Sequence, residues 1–187
     1  MFRVPSLLKA SLIATSMCML LGQTPLVSTA TATEAQAAVM GPSGLPLPRF
    51  VSLKSNRINL RVGPGRDYAV QWLYLKPGLP VEIIQEYDNW RRIRDADGTE
   101  GWVLQTLLSG KRAGIAAPWA KEVTNEPVPM FSRAEETAGL SAQLEPGVLG
   151  KVSACDGQWC KFETNGYDGF VRQTDIWGAY PGEVFDE

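Results

Sequence analysis

The sequence predicts an all-β protein made of two tandem five-stranded small barrels behind an export signal. Three observations carry that reading. An internal repeat at an offset of 69 residues runs through the body of the chain. Each copy consists of short strand-like runs broken by Gly, Pro and Asp turns, with no long helical stripe. The amino terminus has the pattern of a targeting segment. Composition agrees, since 187 residues with 44% hydrophobic and 20% charged side chains are ordinary for globular proteins and leave room for one or two small domains.

Residues 1–37 form the predicted signal peptide. Arg3 and Lys9 precede an apolar core from Ala10 to Gly22, and the small residues Ala35-Gln36-Ala37 follow. The core is shorter than the roughly 20 residues that span a bilayer, so cleavage after Ala37 or Ala38 is expected rather than anchoring. Cys18 lies inside the apolar core behind Met17, which is too large for the position before a lipidated cysteine. Removal of residues 1–37 takes Arg3, Lys9 and Glu34 away from 18 basic and 20 acidic residues, leaving 16 against 19, a net charge of −3. An acidic chain offers no basic surface able to neutralise a run of phosphates, which argues against a nucleic-acid partner.

The repeat fixes the domain plan. Leu75-Lys76-Pro77-Gly78, with Trp90 twelve residues beyond its glycine, recurs as Leu144-Glu145-Pro146-Gly147 with Trp159 twelve residues on. Gly101-Trp102-Val103-Leu104-Gln105-Thr106 then recurs as Gly169-Phe170-Val171-Arg172-Gln173-Thr174, at an offset of 68 after a one-residue deletion in a loop. Landmarks in the same order imply duplication. A flexible Gly/Pro-rich leader over residues 38–49 precedes copy one, residues 50–112, and Ala113–Pro118 reads as the linker to copy two, residues 119–180.

Within copy one, Ile58–Val62, Val70–Leu75, Val81–Tyr87, Arg91–Arg94 and Trp102–Leu104 read as strands separated by Gly63-Pro64-Gly65, Pro77-Gly78, Asp88-Asn89 and Asp97-Gly98. Five short strands in about 60 residues suit a small barrel, in which curling removes most free sheet edges. Such a module lies near the lower size limit for independent folding, so two in tandem can support each other.

The run Ile58-Asn59-Leu60-Arg61-Val62-Gly63-Pro64-Gly65-Arg66-Asp67-Tyr68, with Pro77-Gly78, Trp90 and Gly101-Trp102-Val103 after it, resembles bacterial SH3-like (SH3b) domains. The Asn-Leu-Arg-x-Gly-Pro-Gly opening is the specific part. Copy two has Val128-Pro129-Met130-Phe131-Ser132 in its place and keeps only the later landmarks. The resemblance implies two SH3-like five-stranded barrels, usually non-catalytic modules of exported proteins that often accompany peptidoglycan hydrolases and bind wall peptides. It also places Trp90 where the wider SH3 fold keeps its groove tryptophan. Leu104 and Leu107 stand where the groove Pro and Tyr of signalling SH3 domains would fall, which argues against a polyproline ligand.

Strand alternation puts Trp90, Arg92 and Arg94 on one face and Ile93 on the other. Trp159 likewise falls with Lys161 and Glu163, opposite Cys160 and Phe162. An aromatic on the polar face of each copy is either a ligand platform or a lid that closes the barrel. The expected ligand-binding set is Trp90, Tyr68, Arg61, Asn59 and Trp159, with both tryptophans at least partly exposed. Tyr68 and Tyr87 either join the groove or cover turns, and Tyr68 is the better groove candidate because it follows the Gly-Pro-Gly loop. Arg61 is free to meet Glu82, Glu86 or a ligand carboxylate. Trp102 and Phe170 read as packing residues.

The catalytic classes are thin. With no histidine, Ser-His-Asp, Cys-His and imidazole-metal sites are closed, and three cysteines are too few for an all-cysteine zinc site. Asp95, Asp97 and Glu100 around Gly98 lack the further ligands of a calcium loop and read as a solvated hairpin turn. No metal, cofactor or enzyme activity is therefore expected. Cys155 and Cys160 flank a predicted hairpin turn and, in an exported protein, form a disulfide, with no structural cysteine in copy one. The expected protein is a periplasmic or secreted module binding peptidoglycan peptide or glycan, or an envelope protein. The alternative is a structural envelope protein that stabilises an assembly and has no wall ligand.

Overall fold

The computed structural model describes residues 39–186, so the signal peptide expected over 1–37 lies outside the described residues. Strands β1 (Val39–Met40) and β2 (Pro46–Leu47) form a short hairpin, joined through a cis Leu47-Pro48 bond to the first module. That module comprises β3 (Arg49–Leu53), β4 (Ile58–Arg61), β5 (Val70–Tyr74), β6 (Pro80–Tyr87), β7 (Trp90–Arg94), β8 (Glu100–Leu104) and β9 (Leu108–Ser109). The second comprises β10 (Ala113–Ala116), β11 (Val128–Phe131), β12 (Leu140–Leu144), β13 (Leu149–Asp156), β14 (Trp159–Thr164), β15 (Tyr167–Arg172) and β16 (Ile176–Trp177), with β17 (Val184–Asp186) added against β13.

The two sheets have the same antiparallel topology. Their strand orders are β5-β4-β8-β7-β6-β3-β9 and β12-β11-β15-β14-β13-β10-β16. Each curls into a half-barrel over its own core. Register shifts at Leu60/Arg61 and Ile83/Gln85 recur at Met130/Phe131 and Val152/Ala154, placing β-bulges where the strands bend. Leu53, Ile58, Leu60, Val81, Ile83, Ile93 and Val103 fill the first core, and Val128, Met130, Val152, Cys160, Phe162 and Val171 the second.

The duplicated glycines have two different causes. Gly78 and Gly147 carry φ of +77° and +91°, so each Pro-Gly turn needs a residue that tolerates the left-handed region. Gly101 and Gly169 are needed for space. A Cβ on Gly101 would lie 2.5 Å from Leu60 Cγ and 2.9 Å from the Arg61 carbonyl, and one on Gly169 would lie 2.5 Å from the Phe131 carbonyl. These glycines let β8 and β15 pass close to β4 and β11.

Several sequence expectations change. Ala113–Ala116, expected as linker, is strand β10, buried at every position and paired with β13 and β16. It is the counterpart of β3, a strand that alternation did not reveal, because both are buried on two faces and show no polar period. The second module therefore begins before residue 119, and β17 extends it beyond 180. The leader expected to be flexible holds the β1–β2 hairpin, tied down by Ser43, whose amide and hydroxyl donate to Glu86 at 2.8 and 2.7 Å. The repeat is also out of step by one at its first landmark. Cross-strand pairing matches Leu144 to Tyr74, since Val128 faces Leu144 as Ile58 faces Tyr74, and Leu75 is exposed.

The modules pack on each other. Phe50 meets Trp177 edge to face at 5.0 Å between ring centroids and lies 4.6 Å from Tyr180. The Tyr180 hydroxyl donates to Glu82 Oε1 at 2.7 Å, while Arg94 Nε donates to Glu82 Oε2 at 2.9 Å. Burial and the Glu82 carboxylate both push the Tyr180 hydroxyl well above its ordinary pKa. Arg112 forks onto Glu183 at 2.8 and 2.9 Å and lies 4.2 Å over the Phe185 ring. A turn of the second module's tail thus satisfies a buried carboxylate of the first.

Candidate functional site

Strands β4, β7 and β8 put Asn59, Arg61, Trp90 and Leu104 around one cavity of about 220 Å³, completed by Arg57, Arg66 and Leu107. Register explains the grouping. Trp90 pairs with Leu104, and Arg61 pairs with Trp102. The outer faces of neighbouring strands thereby share one side of the sheet, while Ile93, Val103 and Leu60 point into the core.

Trp90 lies in this cavity but is not the exposed platform that alternation suggested. It is 8% exposed, and Trp159 is 6% exposed. Alternation assigns a face and not a depth. In the second module Phe131 meets Trp159 edge to face at 5.5 Å, and the Arg172 guanidinium lies 4.8 Å over the same ring. Trp159 is thus covered by its own neighbours. Trp102 and Phe170, expected to pack, are half-buried on the outer face, and Val103 and Val171 occupy the core beside them.

Tyr68 lies against the Gly-Pro-Gly loop. A Cβ on Gly63 would fall 2.4 Å from its ring and one on Gly65 3.1 Å away, so both glycines make room for the ring. It covers the turn and is not among the residues lining the Trp90 cavity. Arg61 reaches neither Glu82 nor Glu86; its Nη1 donates to the Tyr68 carbonyl at 2.6 Å. The loop is thereby held against β4. Tyr87 is 60% exposed, at the far end of the β6–β7 hairpin.

The acidic residues have other tasks. Asp95 Oδ1 accepts from the amides of Asp97 and Thr99 at 3.1 and 2.8 Å, and its Oδ2 accepts from the Tyr74 hydroxyl at 2.8 Å. That is the expected hairpin turn. Among the described residues no cluster of three or more His, Cys, Asp or Glu side chains has the arrangement of a metal site. Glu86, buried to 8% exposure, accepts from Ser43 and from Arg49 Nη2 at 2.7 Å, with Arg91 Nε 3.3 Å away. Burial alone would raise its carboxyl, but the Ser43 and Arg49 hydrogen bonds and the Arg91 charge hold it down at about 2.

Cys155 and Cys160 are disulfide-bonded, with Cα atoms 4.1 Å apart. They face each other across β13 and β14 as Glu86 and Arg91 face each other across β6 and β7. The same hairpin is therefore clasped by an ion pair in one module and by a covalent bond in the other.

Sequence reasoning missed Arg57 and Arg66 as cavity residues. A signal was present, since residues 54–66 hold Lys54, Arg57, Arg61 and Arg66 with no acid in an otherwise acidic chain. Among the described residues, none of these three arginines forms an ion pair, and no acidic side chain lines the cavity.

Comparison with known proteins bears on the family. Curated proteins give no match. Solved structures with some likeness include NlpC2 from Trichomonas vaginalis, at 10% identity and a TM-score of 0.31 over 71% of this chain and 49% of that one. An NlpC/P60 family protein from Bacillus cereus matches at 10% identity and a TM-score of 0.30 over 71% of this chain and 57% of that one. The chain thus spans about half the length of these proteins, and a likeness this slight carries no argument about activity. The family model described as bacterial SH3 domain matches residues 54–110 and again 124–178. Together with two sheets of one topology, those matches show that the chain belongs to the bacterial SH3 domain family, as a tandem pair.

Proposed function

We propose that the protein is a non-catalytic exported module that attaches to the cell wall by taking a peptidoglycan peptide into the Trp90 cavity of its first module. The observation that carries this reading is the cavity itself. A recess lined by Trp90, Asn59 and three arginines that form no ion pair among the described residues is a place in which a ligand can be both desolvated and oriented. Asn59, Arg61 and Trp90 contribute to it directly, and Tyr68 acts through the loop carbonyl that positions Arg61.

Export supports the reading through the amino-terminal pattern of residues 1–37 and through the disulfide, which suits an oxidising compartment. No helix among the described residues is long and apolar enough to cross a membrane. The second module serves as a support, because Phe131 and Arg172 lie directly on Trp159. Binding through both tryptophans, with the avidity that two sites would bring, is thereby set aside.

Co-sedimentation with purified sacculi tests the proposal. Asn59 is an exposed lining residue, so Asn59→Trp plugs the recess without touching the core. The native chain should sediment with sacculi and the folded Asn59→Trp variant should stay in the supernatant. A native chain that remains in the supernatant, or a variant that sediments equally, overturns it.

A further inference from the structure

We propose that the Trp90 cavity recognises a carboxylate, the free acid end of a short peptide, held by Arg57, Arg61 and Arg66. The inference rests on the functional reading above and adds the chemistry of the group that enters. Three guanidinium groups that have no carboxylate partner among the described residues line one small recess, and a guanidinium fork matches two carboxylate oxygens. A volume of about 220 Å³ admits one or two residues rather than a length of polymer.

The second module shows what that place accepts. Its pairing register matches Phe131 to Arg61 and Arg172 to Leu104. The following loop keeps the same hydrogen bonds, Val62 to Ala69 and Gly65 to Gly63 in one copy, Ser132 to Gly139 and Glu135 to Arg133 in the other. Glu136 therefore stands where the first module has Arg66. In the second module this Glu136 carboxylate is bound by Arg172, the same arginine that stacks on Trp159. A carboxylate, an arginine and the repeated tryptophan are thus assembled from the chain itself. The first module has the reverse charge at the loop position, Arg61 on β4 with Arg57 just before it, and, among the described residues, no acid lining the recess to complete the set.

Arg57 and Asn59 also have no polar counterparts, because Pro127 and Pro129 occupy their positions by the pairing of Ile58 with Tyr74 and Val128 with Leu144. Duplication has therefore left one module with its anion built in and the other with an open anion site.

The test follows the Trp90 indole N–H and the arginine Nε–H signals of the purified chain by nuclear magnetic resonance. The probes are N-acetyl-alanyl-alanine with a free carboxylate, the same peptide as its carboxy-terminal amide, and inorganic phosphate at equal ionic strength. The free acid should shift these signals and bind at least ten-fold tighter than the amide, and no weaker than phosphate. The Arg66→Glu, Leu104→Arg double variant, which imports the second module's closing pair, should lose the response while its remaining spectrum is unchanged. If that variant unfolds, Arg66→Ala at the same exposed position should weaken the acid by several-fold. Equal response to acid and amide, no response, or tighter phosphate binding overturns the carboxylate assignment. Sacculus binding is scored separately, so wall attachment with no acid preference removes this inference alone, and acid binding without sacculus binding removes the functional reading alone.

Discussion

Replacing Glu86 by Gln should cost the first module about 3 kcal/mol at neutral pH, and the loss should disappear in acid. Glu86 is 8% exposed and its carboxyl is held at about 2, well below the ordinary 4.5. With each tenfold change in proton affinity worth roughly 1.4 kcal/mol, that difference corresponds to about 3 kcal/mol of linkage. The sign follows from the direction. A carboxylate whose pKa is lowered by folding contributes fully above its unfolded value, here 4.5, and loses that contribution as pH falls toward 2. Arg91, 7% exposed in the native chain, loses its counter-charge in Glu86→Gln, which acts in the same direction. The assay is urea denaturation of the native chain and Glu86→Gln at intervals from pH 7 to pH 2. The gap between the two curves should be about 3 kcal/mol above pH 5 and should shrink steadily below pH 4.5. A gap below 1 kcal/mol at pH 7, or one that stays constant into acid, would refute the reasoning, because either shows that the Ser43, Arg49 and Arg91 contacts do not stabilise the ionised form.

Three further outcomes are expected. Reduction of Cys155–Cys160, or Cys155→Ser, should destabilise the second module by about 2 kcal/mol, the modest value expected for so short a loop, read as a lowered midpoint in thermal denaturation with and without reductant. Gly101→Ala should cost about 2 kcal/mol, since its Cβ would meet Leu60 Cγ at 2.5 Å and the Arg61 carbonyl at 2.9 Å; an unchanged denaturation midpoint would show that β4 and β8 can separate freely. Tyr180→Phe removes the donor to Glu82 and should cost about 1 kcal/mol while loosening the module contact, measured by faster hydrogen exchange at Glu82 and Phe50.

What the sequence determined by itself is local. The Pro-Gly turns, the alternation along β4 and β8 and the hairpin cysteines each depend on a residue's own backbone freedom or its immediate partner. The repeat made the Pro-Gly turns legible twice, and the Asn-Leu-Arg-x-Gly-Pro-Gly opening named the family. What only the tertiary structure decided involves side chains distant in sequence. Trp159 is covered by Phe131 and Arg172, Glu82 and Glu86 are engaged by Arg94, Tyr180, Arg49 and Arg91 while Arg61 turns to the Tyr68 carbonyl, and β10 is a strand because β13 and β16 pair with its two edges. Alternation tells which way a side chain leaves the sheet. How deeply it is covered, and whether its charge finds a partner, is set by what the rest of the chain brings over it.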